Sequence, residues 1–75
     1  MTNIFKDAYF GKLYKTRDER RAVFVSFNQY RENTAYLLLE GNKSADLLNC
    51  DGYYWADHKE TKDDIVSEWK EPTNY

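Results

Sequence analysis

Residues 21–42 read RAVFVSFNQYRENTAYLLLEGN, two apolar runs separated by a polar stretch. Both runs are rich in β-branched, aromatic and leucine side chains, which is typical of strands, whereas residues 28–33 have the composition of a loop. Alternate side chains of a strand point to opposite faces of the sheet. Because residues 21–28 and 34–40 are apolar on both faces, we predict two central strands that need cover on each side.

Turn signals extend this pattern towards the C-terminus. The dipeptide Gly41-Asn42 predicts a hairpin after the second of these strands. Asp51-Gly52 is a preferred pair for a tight mirror-image turn, so residues 45–50 and 53–56 are predicted to form another hairpin. That register would place Leu48 and Trp55 on the same face of the sheet.

Strand composition also continues towards the N-terminus. Residues 10–17 predict a first strand, and Gly11 indicates a bulge or a close backbone approach. The loop after that strand is predicted to be longer than two residues, because a two-residue turn would favour glycine where Glu19 stands. Residues 3–8 fit either a short turn or a lead-in strand.

The segment 65–69 allows two interpretations. Its alternation and β-branched residues favour a last strand that covers a sheet edge, and one short helical turn is the alternative. The chain is therefore predicted to be all-β, with five or six short antiparallel strands in meander order. A small flat sheet is marginal in water, so we expect it to curl into an SH3-like, partly open barrel. Residues 71–75 are predicted to be a frayed tail.

Length and composition limit the class of protein. The 75 residues make one small β domain, 1–75, and the 41% hydrophobic content excludes a disordered chain. No apolar run is long enough for a membrane-spanning helix or an export signal. We expect no membrane association, no metal and no cofactor, and a single cysteine fits a reducing cytoplasm. A chain this small is expected to be a monomer or a homodimer.

The formal charge is divided unevenly along the chain. Residues 1–31 carry +4 and residues 32–75 carry −6, which gives the overall −2. This division predicts either two faces of opposite charge or two sets of solvated strand edges.

No residue set predicts catalysis. Cys50 has no basic neighbour to lower its pKa and is expected to be a buried, inert side chain. His58 is expected to be a solvated loop histidine, since a metal site with Asp57 would lack further ligands. Because nothing supplies a nucleophile, a base and an orienting group together, we expect a non-enzymatic protein.

Protein binding is the function that the sequence favours. The run Tyr53-Tyr54-Trp55 places aromatic side chains on both faces of a strand, so one set either packs under the last strand or stays exposed. Exposed tyrosine and tryptophan are enriched at binding hot spots, and the acidic second half could imitate nucleic acid. The predicted protein-binding residues are Tyr53, Tyr54, Trp55, Asp57, Glu60, Asp63 and Asp64.

Binding of single-stranded RNA or DNA is the alternative function. Basic side chains that alternate with aromatic ones can follow a nucleic-acid backbone and stack on its bases. The basic residues of this alternative site are Lys15, Arg17, Arg20 and Arg21, with Tyr9, Phe10, Tyr14 and Tyr30 as the nearby aromatic residues.

Three segments carry a resemblance to known proteins. Residues 5–14, FKDAYFGKLY, look like the lead-in of many small β-barrel modules. Residues 16–24, TRDERRAVF, resemble a hairpin of short phage and prophage open reading frames, in which a glycine often replaces Glu19. The segment 64–71, which begins DIVSEW, resembles the closing segment of the same uncharacterised group. The resemblance implies a phage or prophage accessory protein in a bacterial cytoplasm that binds a host or viral protein.

Overall fold

A computed structural model describes residues 3–70 of the chain. Within them the protein is all-β, with a single sheet of five antiparallel strands in the spatial order β4-β3-β2-β1-β5. The strands are β1 (Leu13–Thr16), β2 (Arg21–Phe27), β3 (Thr34–Leu39), β4 (Asp46–Asn49) and β5 (Ile65–Glu68). The predicted frayed tail, residues 71–75, lies outside the described residues.

The strand order gives the curled, partly open barrel of SH3-like form that the sequence predicts. Strands β1 to β4 follow one another as a meander, and β5 crosses over to pair with β1 on the far side of the sheet. The strand interpretation of residues 65–69 is confirmed by Ile65–Glu68. Because β5 covers the outer edge of β1, the edge strands of the described sheet are β4 and β5.

The predicted strand over residues 53–56 is wrong. The backbone nitrogen of Asn49 donates to the carbonyl of Tyr53 at 3.0 Å, and the chain then leaves the ladder without forming a further strand. Long-range contacts compete with the hairpin: Ile4 donates to the Cys50 carbonyl at 2.9 Å, and Ile65 donates to the Gly52 carbonyl at 2.8 Å. The turn after β4 therefore closes the barrel instead of extending the sheet.

The core lies on the concave side of the sheet. Phe5, which comes before β1 in the chain, is fully buried, and its ring lies edge-on to Tyr14 at a centroid distance of 5.0 Å. The side chain therefore fills the open side of the barrel. The buried apolar residues of the core are Phe5, Tyr14, Ala22, Phe24, Ala35, Leu37, Leu39, Leu48, Cys50 and Ile65.

Two local features of the first hairpin agree with the sequence. Gly11 donates to the Phe24 carbonyl at 2.9 Å, and Phe24 donates to the Lys12 carbonyl at 2.9 Å. Gly11 and Lys12 on one chain segment therefore face the single residue Phe24 on the other. With Gly11 at a φ of +93°, this arrangement is the predicted bulge. Three residues separate Thr16 from Arg20 in the loop, which is longer than two residues as predicted.

Candidate functional site

Trp55 forms one wall of an open groove beside β4. Its side chain is 53% exposed, and the ring of Tyr54 meets it edge-on at a centroid distance of 5.0 Å. The groove has a volume of about 390 Å³. It is lined by Arg31, Thr34, Leu47, Leu48, Asn49, Tyr54, Trp55 and Ala56. The structure thus combines an exposed tryptophan with a partly apolar concave surface, which we call the Trp55 groove.

The sequence pointed to two of these residues and missed others. Tyr54 and Trp55 were predicted from the aromatic run, whereas no local pattern indicates Arg31, which comes from the loop between β2 and β3. One sequence signal could have identified Leu47, because residues 45–50 carry apolar side chains on both faces. No local pattern predicts that the lining residues form a groove, because the groove depends on the path of the turn after β4.

Tyr53 faces a different set of neighbours. Its ring stacks on His58 with a centroid distance of 4.6 Å and an interplanar angle of 23°. His58 Nε2 lies 2.6 Å from Asp51 Oδ2, and the Tyr53 backbone nitrogen donates to Asp51 Oδ1 at 3.2 Å. The His58 side chain is 58% exposed. The backbone of His58 is left-handed, with a φ of +62°. These contacts fasten the segment after β4 onto its own turn.

Asp64 is a buried structural carboxylate. Its oxygens accept hydrogen bonds from the backbone nitrogens of Tyr54 and Thr61, both at 2.9 Å, and from the Thr61 hydroxyl at 3.0 Å. The Arg17 guanidinium also donates to Asp64 Oδ2, from Nη2 at 3.1 Å and from Nε at 3.4 Å. Burial alone would raise the pKa of Asp64, but the backbone and Thr61 donors and the Arg17 guanidinium together outweigh it and lower the pKa. A protein partner has no free access to this side chain.

A second ion pair lies close to the first. Arg20 Nη2 contacts the Asp63 carboxylate, and Arg20 Nε donates to Asp18 Oδ1 at 2.8 Å. The Thr16 hydroxyl donates to the same Asp18 oxygen at 2.5 Å. The hydrogen bond from Thr16, with those from Arg20, lowers the pKa of Asp18. We call the contacts of Arg17 and Arg20 with Asp18, Asp63 and Asp64 the ion-pair lock.

The ion-pair lock joins residues that the sequence assigned to two different sites. Arg17 and Arg20 belong to the alternative nucleic-acid site, and Asp63 and Asp64 belong to the predicted acidic surface. In the structure they neutralise one another, so the two charged halves do not form separate faces here. Glu60 Oε1 lies 3.8 Å from Arg17 Nη1 and is largely exposed, so this pair contributes little to stability.

The remaining predicted charged residues are dispersed. Asp57 is exposed and accepts a hydrogen bond from the Lys59 backbone nitrogen at 3.1 Å. The Arg21 guanidinium lies over the Trp69 ring, 5.0 Å from its centroid. Lys15 pairs with Arg21 across β1 and β2. Of the aromatic residues proposed to accompany the basic set, Tyr14 is buried in the core and unavailable for stacking on bases.

The structure holds Cys50 in the core, as predicted. Its side chain is 4% exposed, and burial together with the nearby Asp51 charge raises the pKa of the thiol. Within residues 3–70, no three His, Cys, Asp or Glu side chains are grouped as a metal site would require. In the same range no helix is long and apolar enough to cross a membrane. Comparison of the chain with protein-family models, curated proteins and solved structures gives no match.

Proposed function

We propose that this chain is a non-enzymatic protein-interaction module whose contact surface is the Trp55 groove. The observation that supports the proposal is the 53% exposure of Trp55 at the wall of that groove. Tryptophan is one of the residue types enriched at binding hot spots, and an exposed apolar patch lined by such residues is typical of an interaction surface. With the resemblance of residues 16–24 and 64–71, we propose a phage or prophage accessory protein acting on a host or viral protein in the bacterial cytoplasm.

The lining of the groove indicates the kind of side chain it would accept. Leu47 and Leu48 supply apolar surface beside Trp55, while Arg31 and Asn49 supply polar groups. An apolar side chain of the partner would fit against the leucines and the indole. A carboxylate or carbonyl beside that side chain would accept hydrogen bonds from Arg31 and Asn49.

The ion-pair lock supports a protein partner over nucleic acid. Arg17 and Arg20 already direct donors at carboxylates of this chain, so phosphate contacts would require breaking those pairs. The overall charge of −2 also opposes phosphate binding. The geometry therefore favours the Trp55 groove over the basic hairpin as the contact surface.

The experiment compares three baits. The tagged chain, Trp55→Ala and Tyr30→Ala are used to capture proteins from a nuclease-treated bacterial lysate, with mass spectrometry as the readout. Tyr30 is the matched control, because it is an aromatic residue 88% exposed in the loop after β2. We expect a stoichiometric protein that is retained by the wild type and Tyr30→Ala and lost with Trp55→Ala. A protein that the wild type captures only when the nuclease is omitted, or that Trp55→Ala captures as well as the wild type does, would contradict the proposal.

The acidic surface is tested with the carboxylates that do not hold the fold. Asp57→Asn and Glu60→Gln remove two exposed charges and spare Asp63 and Asp64 of the ion-pair lock. If an acidic surface helps to imitate nucleic acid, the double variant should bind the captured partner more weakly, and its affinity should depend less on salt. Unchanged affinity would restrict the contact to the Trp55 groove.

A further inference from the structure

The place beside β4 that the sequence predicts for a further strand holds no strand of the described chain. The backbone nitrogen of Asn49 donates to the Tyr53 carbonyl at 3.0 Å, and the Gly52 nitrogen donates to the Asn49 carbonyl at 2.9 Å. Beyond these two hydrogen bonds the chain turns away, and residues 53–64 contain no strand. β4 is therefore an edge of the described sheet, with the Trp55 groove beside it.

Leu47 presents its backbone groups to this edge. In an antiparallel ladder the N–H and C=O groups of successive residues point alternately towards and away from the neighbouring strand. The Cys50 nitrogen donates to the Asn33 carbonyl at 2.7 Å, so Leu48 also faces β3, whereas Leu47 and Asn49 direct their groups outwards. The turn binds the groups of Asn49, and no hydrogen bond within the described part of the chain reaches the outward groups of Leu47.

Arg31 is the charged residue of the Trp55 groove, and the other lining residues are all neutral. It is exposed, and no carboxylate or aromatic ring among the described residues engages its guanidinium. The other arginines are engaged, Arg17 and Arg20 in the ion-pair lock and Arg21 over the Trp69 ring. A carboxylate brought to the groove would therefore meet an arginine that has no competing partner in the described chain.

The charges around the groove give it a positive end. Thr34 pairs with Asn49 at the end of β4, and its hydroxyl donates to the Arg31 carbonyl at 2.7 Å, so Arg31 lies at that end. Asp46 begins β4, three positions or about 10 Å from Asn49 along the strand. Glu32 lines the adjoining cavity and is not part of the groove. A carboxylate is therefore favoured at the Arg31 end and not at the start of β4.

We propose that the Trp55 groove binds an extended segment of the partner protein, which adds a strand to the edge of β4. This inference rests on the proposed function and specifies the kind of partner. The N–H and C=O of Leu47 pair with one residue of that segment, whose side chain packs against the indole. Alternate residues of a strand share a face, so the residue two positions away lies at the Asn49 end, where its carboxylate binds Arg31. The segment thus carries an apolar and an acidic residue two positions apart.

The test selects random dodecapeptides, displayed on yeast cells, for binding to the full chain. We expect the enriched peptides to share an apolar and an acidic residue two positions apart, and to lose binding with Trp55→Ala. Arg31→Glu should weaken binding of a selected synthetic peptide about 10–100-fold and, in a fresh selection, replace its acidic residue by a basic one. Lys6→Glu is the matched control, because it makes the same charge change at an exposed position outside the groove, and it should bind as the wild type does.

N-methylation of the selected peptide supplies a second readout that leaves the protein unchanged. A methyl group on an amide that faces β4 should lower the affinity about tenfold or more, whereas one on an alternate amide should leave it unchanged. Trp55-dependent peptides that ignore either Arg31→Glu or N-methylation would overturn this inference and leave the proposed function standing. A lysate protein captured through Trp55, with no peptide selected, would do the same. If neither a peptide nor a lysate protein depended on Trp55, both proposals would fail.

Discussion

The carbonyl oxygen of Gly52 lies 2.8 Å from the backbone nitrogen of Ile65 and accepts its hydrogen. This hydrogen bond joins the turn after β4 to the first residue of β5, and so connects the two edges of the described sheet. The approach is close because Gly52 has no side chain: a Cβ placed there would lie 2.4 Å from the Ile65 oxygen. The φ of Gly52 is +95°, which other residues rarely adopt.

Gly52→Ala should therefore destabilise the protein more than a glycine substitution elsewhere. Left-handed backbone costs an alanine about 1–2 kcal/mol, and overpacking against Ile65 adds about 1–3 kcal/mol. Gly41→Ala is the control, because Gly41 has a φ of +92° but nothing within 4 Å of its Cβ position. Urea unfolding should show that Gly52→Ala lowers the free energy of unfolding more than Gly41→Ala does. Equal losses would mean that the close approach to Ile65 is unimportant.

Glu19 occupies a position of the first hairpin that favours glycine. Its φ is +67°, and it follows a turn in which its nitrogen donates to the Thr16 carbonyl at 3.0 Å. A three-residue hairpin loop of this kind ends in a left-handed residue. The observed backbone at Glu19 is one that glycine adopts without steric cost.

Glu19→Gly should accordingly raise the free energy of unfolding by about 0.5–1 kcal/mol. Relief of the left-handed strain is larger than the entropy that a glycine adds to the unfolded chain. Glu19→Ala removes the same charge but keeps a Cβ atom, so it should change stability little. The measurement is the urea midpoint at constant slope. A gain of the same size for both variants would assign the effect to charge.

The strands could be predicted from local patterns, because alternation and turn residues act over a few positions. For that reason the predictions of a bulge at Gly11, of a buried Cys50 and of a last strand in segment 65–69 are confirmed. The prediction of a strand over residues 53–56 failed because the carbonyls of Cys50 and Gly52 in the turn accept hydrogen bonds from Ile4 and Ile65, which are distant in sequence. Local turn chemistry identified the turn at Gly52 but not what the turn contacts.

The candidate site was less predictable because it depends on pairing between distant segments. Arg17 and Asp64 are 47 positions apart and meet because β5 pairs with β1. The charge count placed them in opposite halves of the chain, which left open two separate faces or two sets of solvated strand edges. Side-chain charge alone could not show that the two sets neutralise each other.

Cys50 should be unreactive in the folded protein. The thiol is buried, and its raised pKa leaves little thiolate near neutral pH. Alkylation by iodoacetamide, followed by mass spectrometry, should be slow for the native chain and fast in denaturing urea. Rapid native labelling would show that the turn after β4 opens readily.

Asp64→Asn should destabilise the protein in a manner that depends on pH. The substitution removes a charged acceptor from five donor atoms in a buried site, and we expect the free energy of unfolding to fall by about 1–3 kcal/mol near neutral pH. Because the folded-state pKa of Asp64 lies below its ordinary value of 3.8, the carboxylate stabilises the fold fully above about pH 4. That contribution is lost as the pH falls through the lowered pKa.

The unfolding free energies of the wild type and Asp64→Asn should therefore differ most near pH 7 and converge in acid. Asp18 also has a lowered pKa, so both proteins should still lose some stability below about pH 4. Asp57→Asn is the control, since that exposed carboxylate lies outside the ion-pair lock and its removal should shift stability by less than about 0.5 kcal/mol. If the difference between wild type and Asp64→Asn were the same at every pH, the ionised Asp64 would not be what joins Arg17 to the segment before β5.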